Sequence, residues 1–320
     1  MARSNGGNRL DDAARAGWLY YVAGNTQDEI AQKLGVSRQS AQRLVSLAVS
    51  EKLIKFRLDH PIARCMELSG QLSQRFDLQS CEIVPTDPGA PESITGVAIA
   101  GAAEMQKHLD TKTPKVIAVG TGRVLRACVE QLPPMDCPQH HLVSLVGNTM
   151  PDGSATAYNV VVRMAERVGG RHNPMPLPVL VRKPAELPIL HSQEPVAKTL
   201  GLCADADATF VGIGHIDGSA PLTVDGFITH EESRALIRLG AVGEIVGWVF
   251  DSGGKLIEGL TNDRVSSAPL VPANPRPVIG LAAGEVKVAA ILGALRGQLI
   301  NALVTDEATA EAVLAQASPE

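Results

Sequence analysis

Five short segments of the chain carry residue types suited to holding a small polar molecule. Gly120-Thr121-Gly122-Arg123 follows an apolar run and opens a helical pattern. Backbone N–H groups in such a loop cradle an anion or a hydroxyl, and Arg123 adds a positive charge. The same four residues serve equally as a plain tight turn between strand and helix. Gly284 and Lys287 repeat the loop-to-helix arrangement, where Lys287 is either a ligand contact or a surface lysine. Gly147 and Asn148 come after another apolar run, and Asn148 either pairs with a hydroxyl or simply makes a turn. Gly212, Gly214, His215 and Asp217 close a further one, with His215 as a contact or an ordinary loop residue. Glu244 stands inside the apolar segment Gly240–Phe250, where an unpaired buried charge is costly. Its partner is either a ligand or an internal cation.

A second chemistry lies near the N-terminus. Thr26 and Glu29 form a T-x-x-E capping box that starts a helix reaching about Leu34. Gly35 supplies the turn, and Ser37 caps a third helix over about Arg38–Lys52. Ile30, Leu34, Val36, Ala41, Leu44 and Leu47 suit a small core, and Ala31 allows two helices to cross closely. The outer side of the third helix then carries Arg38, Gln39, Gln42, Arg43 and Ser46. These residue types bond to base edges and phosphates, as a recognition helix does in a major groove. We therefore expect Thr26, Ser37, Arg38, Gln39, Gln42 and Arg43 at a DNA interface. The plainer alternative is a packing module with a solvated polar face.

Composition sets the frame for both. The chain has 320 residues, 45% hydrophobic but only 3% aromatic, so its core must be built from Val, Ile, Leu and Ala. That suits a parallel sheet covered on both faces. The net charge is −5, yet residues 1–60 hold nine basic against six acidic side chains, leaving a mildly basic head on an acidic body. The five cysteines, Cys65, Cys81, Cys128, Cys137 and Cys203, form no CxxC pair, which favours a reducing compartment over a disulfide framework. His140, His141 and His191 have no partners at metal-ligand spacing, so neither a metal nor a cofactor is expected. No signal-type or membrane-spanning run is evident, so neither secretion nor the membrane is expected.

The elements that must position these residues follow from periodicity. A polar tail over residues 1–9 precedes a helix from Leu10 to Ala23. Leu53–Arg57 alternates as a wing strand would. Pro61–Phe76 has helical spacing at Ile62, Met66, Leu68, Leu72 and Phe76, suggesting a linker helix that pairs with its copy in another subunit. Strands are expected at Cys81–Val84, Val116–Gly120, Leu142–Val146, Val179–Arg182, Thr209–Ile213, Ile245–Phe250, Val278–Ala282 and Asn301–Thr305. Helices are expected near Ile94–Leu109, Arg123–Gln131, Ala155–Val168, Glu194–Leu200, Glu231–Arg238, Val286–Arg296 and Glu307–Gln316. This alternation gives an α/β fold: an all-α winged helix-turn-helix over 1–58, a linker helix over 59–78, and a doubly wound, Rossmann-like domain over 79–320. Thr305 reads as the cap of the last helix, with Asp306 and Glu307 as first-turn acids.

Taken in order, "AVGTGR" from Ala118, "LVGN" ending at Asn148, "VGIG" from Val211, "GAVGEIVGWVFD" from Gly240, "AAGEVKVAAILGALRG" from Ala282 and "LVTDEATA" from Leu303 resemble the SorC-type sugar-binding transcriptional regulators. The resemblance runs from about Gly17 to Ala315. It implies an effector domain similar to sugar-phosphate isomerases of the glucosamine-6-phosphate deaminase type. It also implies a cytoplasmic regulator of a carbohydrate or polyol catabolic operon, with operator DNA and a sugar, polyol or sugar phosphate as partners. Assembly as a homodimer or homotetramer is implied too. By the same resemblance Glu244 matches a carboxylate that holds effector hydroxyls, and Lys287 an effector-contacting lysine. The effector residues expected are then Gly120, Thr121, Gly122, Arg123, Gly147, Asn148, Gly214, Asp217, Glu244, Gly284 and Lys287. The family usually has hydroxyl residues where Arg123 and Val124 stand, which tilts the expectation towards an unphosphorylated effector.

The competing expectation is a sugar-phosphate isomerase-like enzyme carrying an accessory DNA-binding module. Asp217 and Glu244 are its only acid/base candidates. No nucleophile elbow or zinc motif is present, and no catalytic residue is assigned.

Overall fold

The computed structural model describes residues 5–54, 62–150, 153–156 and 158–317. The chain divides into two compact units, Met1–His60 and Pro61–Glu320.

The first unit holds three helices: α1 (Asn5–Tyr21), α2 (Gln27–Leu34) and α3 (Arg38–Ser50). The capping box expected at the start of α2 is present. Thr26 Oγ1 accepts from the Glu29 N–H at 3.3 Å, and the Glu29 carboxylate accepts from the Thr26 N–H at 2.8 Å. Gly35 ends α2 with φ +66°, a conformation that costs an L side chain strain. Ser37 caps α3 by accepting from the Ser40 N–H. Ala16, Ile30, Ala31, Ala41 and Val45 form the small core. Leu34, Val36 and Leu44 are only partly buried against it, so Val45 fills a place that helical spacing alone gave to its neighbour Leu44. Gly17 marks the crossing of α1 and α3: a Cβ there would sit 2.8 Å from the Cβ of Ala48. The expected wing lies over Leu53–Arg57, of which residues 55–57 are outside the described residues.

The second unit opens with α4 (Ala63–Phe76) and β1 (Ser80–Val84). Then come α5 (Thr95–Leu109), β2 (Val116–Val119), α6 (Arg123–Gln131), β3 (His141–Thr149), α7 (Val160–Val168) and β4 (Arg171–Pro178). Two helices, α8 (Leu187–His191) and α9 (Glu194–Ala204), lead to β5 (Ala208–Gly212), β6 (Gly214–His215), α10 (Pro221–Val224) and α11 (His230–Arg238). The chain finishes with β7 (Ala241–Ile245), β8 (Trp248–Asp251), β9 (Val278–Leu281), α12 (Val288–Arg296), β10 (Ala302–Asp306) and α13 (Glu307–Ala317).

Seven strands form one parallel sheet in the order β1-β10-β9-β5-β2-β3-β4. Successive residues alternate between two cores. Ile117, Leu142, Phe210, Ile279 and Val304 face α5, α6 and α7. Ala118, Val143, Val211, Val278 and Leu303 face the opposite side, where Leu68 and Leu72 of α4 are buried with Ile291 and Leu295 of α12 and Val313 of α13. The sheet is doubly wound, as its apolar runs foretold. Helix α4 is fixed within this unit: Ser69 Oγ donates to the Cys81 carbonyl at 2.6 Å, and Arg64 pairs with Glu311 at 2.7 Å.

Two strand expectations are corrected. The segment Val179–Arg182 makes only an isolated bridge, Leu180 to Val265, while the edge strand is the preceding Arg171–Pro178. Pro174, Pro176 and Pro178 disguised it, because proline lacks the ladder N–H and is confined to edges such as this one. The single strand expected at Ile245–Phe250 is a hairpin turn. Val246 (φ +46°) and Gly247 (φ +91°) reverse the chain between β7 and β8, as a two-residue primed turn requires. With β6 these strands make a small antiparallel sheet, β6-β7-β8, whose own core includes Ile216, Leu236 and Val249. Among the described residues no helix is long and apolar enough to cross a membrane.

Candidate effector site and DNA-reading face

The chain runs from β2 to β3 and β4 on one side, then returns to place β5 on the other side of β2. That reversal makes a switch point, and ligands of such sheets bind beyond the strand C-termini there. The Gly120 N–H is tied to the Phe210 carbonyl at 2.8 Å, so the loop after β2 starts from a fixed point beside β5. Gly122 then takes φ +113° to begin α6, and Gly284 takes φ +111° after β9. Both positions favour glycine, and both follow the C-terminal end of a parallel strand of the same sheet. The Gly284 N–H itself is held by Thr309 Oγ1 at 2.8 Å.

Gly120, Thr121, Gly147 and Asn148 line one pocket, together with Thr156 and Asn159. Gly147 and Asn148 lie within β3, which is longer than periodicity indicated. Gly147 is glycine for packing: a Cβ there would come within 2.3 Å of the Leu177 carbonyl oxygen on β4.

A charged group stands alongside. Glu244 on β7 lies opposite Gly214 on β6, and a Cβ on Gly214 would be 2.3 Å from Glu244 Oε1. Only glycine leaves room for that carboxylate. Burial pushes the Glu244 carboxyl above the usual range, opposed by the hydrogen bond from Gly247 and by the charge of Lys287. Burial lowers Lys287, with Glu244 opposing that change and Arg123 reinforcing it. Lys287 therefore feels the charges of both Glu244 and Arg123.

Two residues that periodicity did not single out complete the group. The Tyr158 hydroxyl donates to Asp225 Oδ2 at 2.7 Å, and Asp225 Oδ1 lies 3.9 Å from Arg123 Nη2. Desolvation raises the Tyr158 phenol, and the Asp225 carboxylate raises it further. Asp225-Gly226 reads in sequence as an ordinary turn, so nothing local marked it.

Asp217 is turned to another task. Its Oδ1 accepts from the Ser219 N–H and hydroxyl, both at 2.7 Å, and His215 Nε2 is 3.4 Å away. Burial pushes its carboxyl up, but those hydrogen bonds and the charge of His215 outweigh burial and leave it below the usual range.

In the first unit Arg38, Gln39, Gln42, Arg43 and Ser46 are exposed on α3. Arg38 reaches Asp28 of α2 at 3.4 Å, an ion pair open to water. The Thr26 and Ser37 hydroxyls are occupied as helix caps, which leaves the helix N-termini beside them as the anion-attracting feature.

A helix-turn-helix followed by a doubly wound domain with a polar site at its switch point defines a transcription regulator that senses a small molecule. Residues 60–315 match a family model described as "Putative sugar-binding domain". The chain is 32% identical over 306 residues to the erythritol catabolism regulatory protein EryD of Brucella abortus, covering 95% of this chain and 96% of that one. It is 32% identical over 317 residues to the transcriptional regulator LsrR of Klebsiella pneumoniae, covering 95% and 93%. The full-length sorbitol operon regulator SorC from Klebsiella pneumoniae superposes with a TM-score of 0.69 at 25% identity, over 96% of this chain and 99% of that one. The chain belongs to the SorC family of sugar-binding transcriptional regulators. The expected fold and the main functional expectation hold.

Proposed function

We propose that the protein binds operator DNA through α3 and releases or engages it in response to a neutral polyhydroxylated effector. The observation that carries this proposal is that Lys287, in the turn that Gly284 opens, feels the charges of both Glu244 and Arg123, the residue that follows Gly122. A carboxylate accepts from vicinal hydroxyls while an ammonium and a guanidinium donate to them. The loop glycines let backbone amides approach. The named role of EryD in erythritol catabolism supports a short polyol as the effector class. Val124, apolar at the second position of α6, supports an unphosphorylated one.

Asp217 Oδ1 is engaged by Ser219, and Glu244 Oε2 accepts from the Gly247 N–H. With the regulator names of EryD and LsrR, this supports action by binding over turnover. Specific operators are commonly read by two-fold pairs of helix-turn-helix modules, which supports a homodimer or homotetramer working in the cytoplasm. The test is a thermal-shift screen of erythritol, other polyols, sugars and their phosphates. A ligand of the folded state raises the melting temperature. Stabilisation by a neutral polyol that is lost in Glu244→Ala supports the proposal. Stabilisation only by phosphate esters, or turnover of any of them, defeats it.

A further inference from the structure

Lys287 feels the charges of Glu244 and Arg123, Arg123 pairs with Asp225, and the Glu92 carboxylate lies at the Gly284 loop, 3.5 Å from where a Cβ on Gly284 would stand. Glu244 and Lys287 sum to zero whether they stand as carboxylate and ammonium or as acid and amine. Arg123 is a further cation beside that pair, and Asp225 Oδ1, 3.9 Å from Arg123 Nη2, offsets part of its charge. The Asp225 carboxylate is not free to swing aside. Its other oxygen accepts from Tyr158 at 2.7 Å, and its own N–H donates to the Pro221 carbonyl at 2.8 Å at the end of α10. Gly226, with φ +79°, completes that turn.

We propose that Asp225 is a specificity-determining residue that tunes the site towards neutral polyhydroxylated effectors and against phosphate monoesters, an inference that rests on the effector proposed above. The N-terminus of α6 at Gly122–Arg123 is otherwise well suited to a phosphate, with backbone amides, a helix dipole and a guanidinium in one place. A fixed carboxylate on that guanidinium changes the outcome. A dianion bound there meets Asp225 at short range, where like charges repel strongly. A polyol carries no charge and meets no such penalty, while its hydroxyls donate to Glu244 and accept from Lys287. Specificity then comes from a repulsive element against the wrong ligand as well as contacts to the right one.

The experiment is calorimetric titration of the full chain with inorganic phosphate, erythritol and an erythritol monophosphate ester. Wild type is compared with Asp225→Asn, Asp225→Ser and the double variant Asp225→Asn/Arg123→Gln. Two different substitutions at Asp225 guard against misfolding of either one. Removing the carboxylate is expected to strengthen phosphate and phosphate-ester binding by about tenfold or more. Adding Arg123→Gln abolishes that gain, and erythritol affinity in Asp225→Asn changes much less. Phosphate affinity equal to wild type in both single variants overturns the proposal, as does a gain that survives Arg123→Gln. If wild type itself prefers the phosphate ester to erythritol, the neutral-effector proposal falls. The role of Asp225 is then still decided by the ratio of variant to wild-type phosphate affinity.

Discussion

The Glu244 carboxylate accepts a hydrogen bond of 2.9 Å from the N–H of Gly247, three residues further along the chain. That bond closes the turn in which Val246, a β-branched residue, takes φ +46°. Such a conformation persists only when its surroundings over-determine it. The carboxylate proposed to hold effector hydroxyls therefore also holds the turn that presents it. The turn in turn lies against the loop after β2, because a Cβ on Gly120 would be 3.1 Å from Val246 Cγ1.

Glu244→Gln should stabilise the effector-free protein while weakening effector binding. Burial raises the Glu244 carboxyl, so its ionisation in the folded state opposes folding. A raised carboxyl binds its proton more tightly in the folded chain, so the cost is absent at low pH. It appears as pH rises above the unfolded value of 4.5. Glutamine keeps an acceptor for Gly247. Chemical denaturation at pH 5 and pH 8 should show a larger gain from the substitution at pH 8. An equal gain at both, or a loss, contradicts the assignment.

Gly122→Ala and Gly284→Ala should each cost about 1–2 kcal/mol of stability, since φ values of +113° and +111° force an L residue into strain. No atom stands within 4 Å of a Cβ at Gly122, so the cost there is conformational and not steric. Urea unfolding measures it. A stability change near zero would show that the loop relaxes freely and is not fixed for a ligand.

Much of this architecture was legible because a parallel sheet buried on both faces leaves apolar runs, and capped helices leave Thr26, Ser37 and Gly35. Arg123–Gln131 could be read to the residue because Gly122 precedes it. The β4 edge strand was hidden by its prolines. The hairpin at Val246-Gly247 was hidden by an apolar residue at positive φ, which composition never signals. At the site, Glu244 stood out as a charge in an apolar segment. Tyr158 and Asp225 did not, because their significance lies in a contact across 67 residues. Asp217 looked like a ligand residue from its glycine-rich setting, yet its carboxylate closes its own loop on Ser219.

On α3, Gln42→Ala and Arg43→Ala should each weaken operator binding by about 1–3 kcal/mol if they pair with base edges. Arg38 already pairs with Asp28, so Arg38→Ala should act mainly on the salt dependence of binding. Fluorescence anisotropy on a mapped operator at fixed salt separates the two. Wild-type affinity in both Gln42→Ala and Arg43→Ala would remove α3 from the groove.

Glu104 on α5 reports on the stability of the sheet's helical cover. His108 and Lys107 hold its carboxyl down at about 2, below its ordinary 4.5. A depressed carboxyl contributes stability that is fully present above 4.5 and is lost as pH falls towards 2. Glu104→Gln should therefore destabilise the protein by about 1–2 kcal/mol near neutral pH, allowing for solvent screening. The gap to wild type should narrow as the solution is acidified. A gap independent of pH would mean that packing alone is responsible.

A neutral polyol at the proposed Glu244–Lys287 site is expected to change the affinity of the chain for DNA. The most direct measurement is an anisotropy titration of labelled operator from the protein's own promoter region, at fixed salt. It is run with and without erythritol, on wild type and on Glu244→Ala. An effector acts only through a difference in affinity for the two states of the regulator. Wild type is expected to change its operator affinity about tenfold or more. Glu244→Ala is expected to show no change and still to bind the operator in the absence of polyol. A polyol-dependent change of the same size in Glu244→Ala, or a wild-type response to phosphate esters and to no neutral polyol, would contradict it.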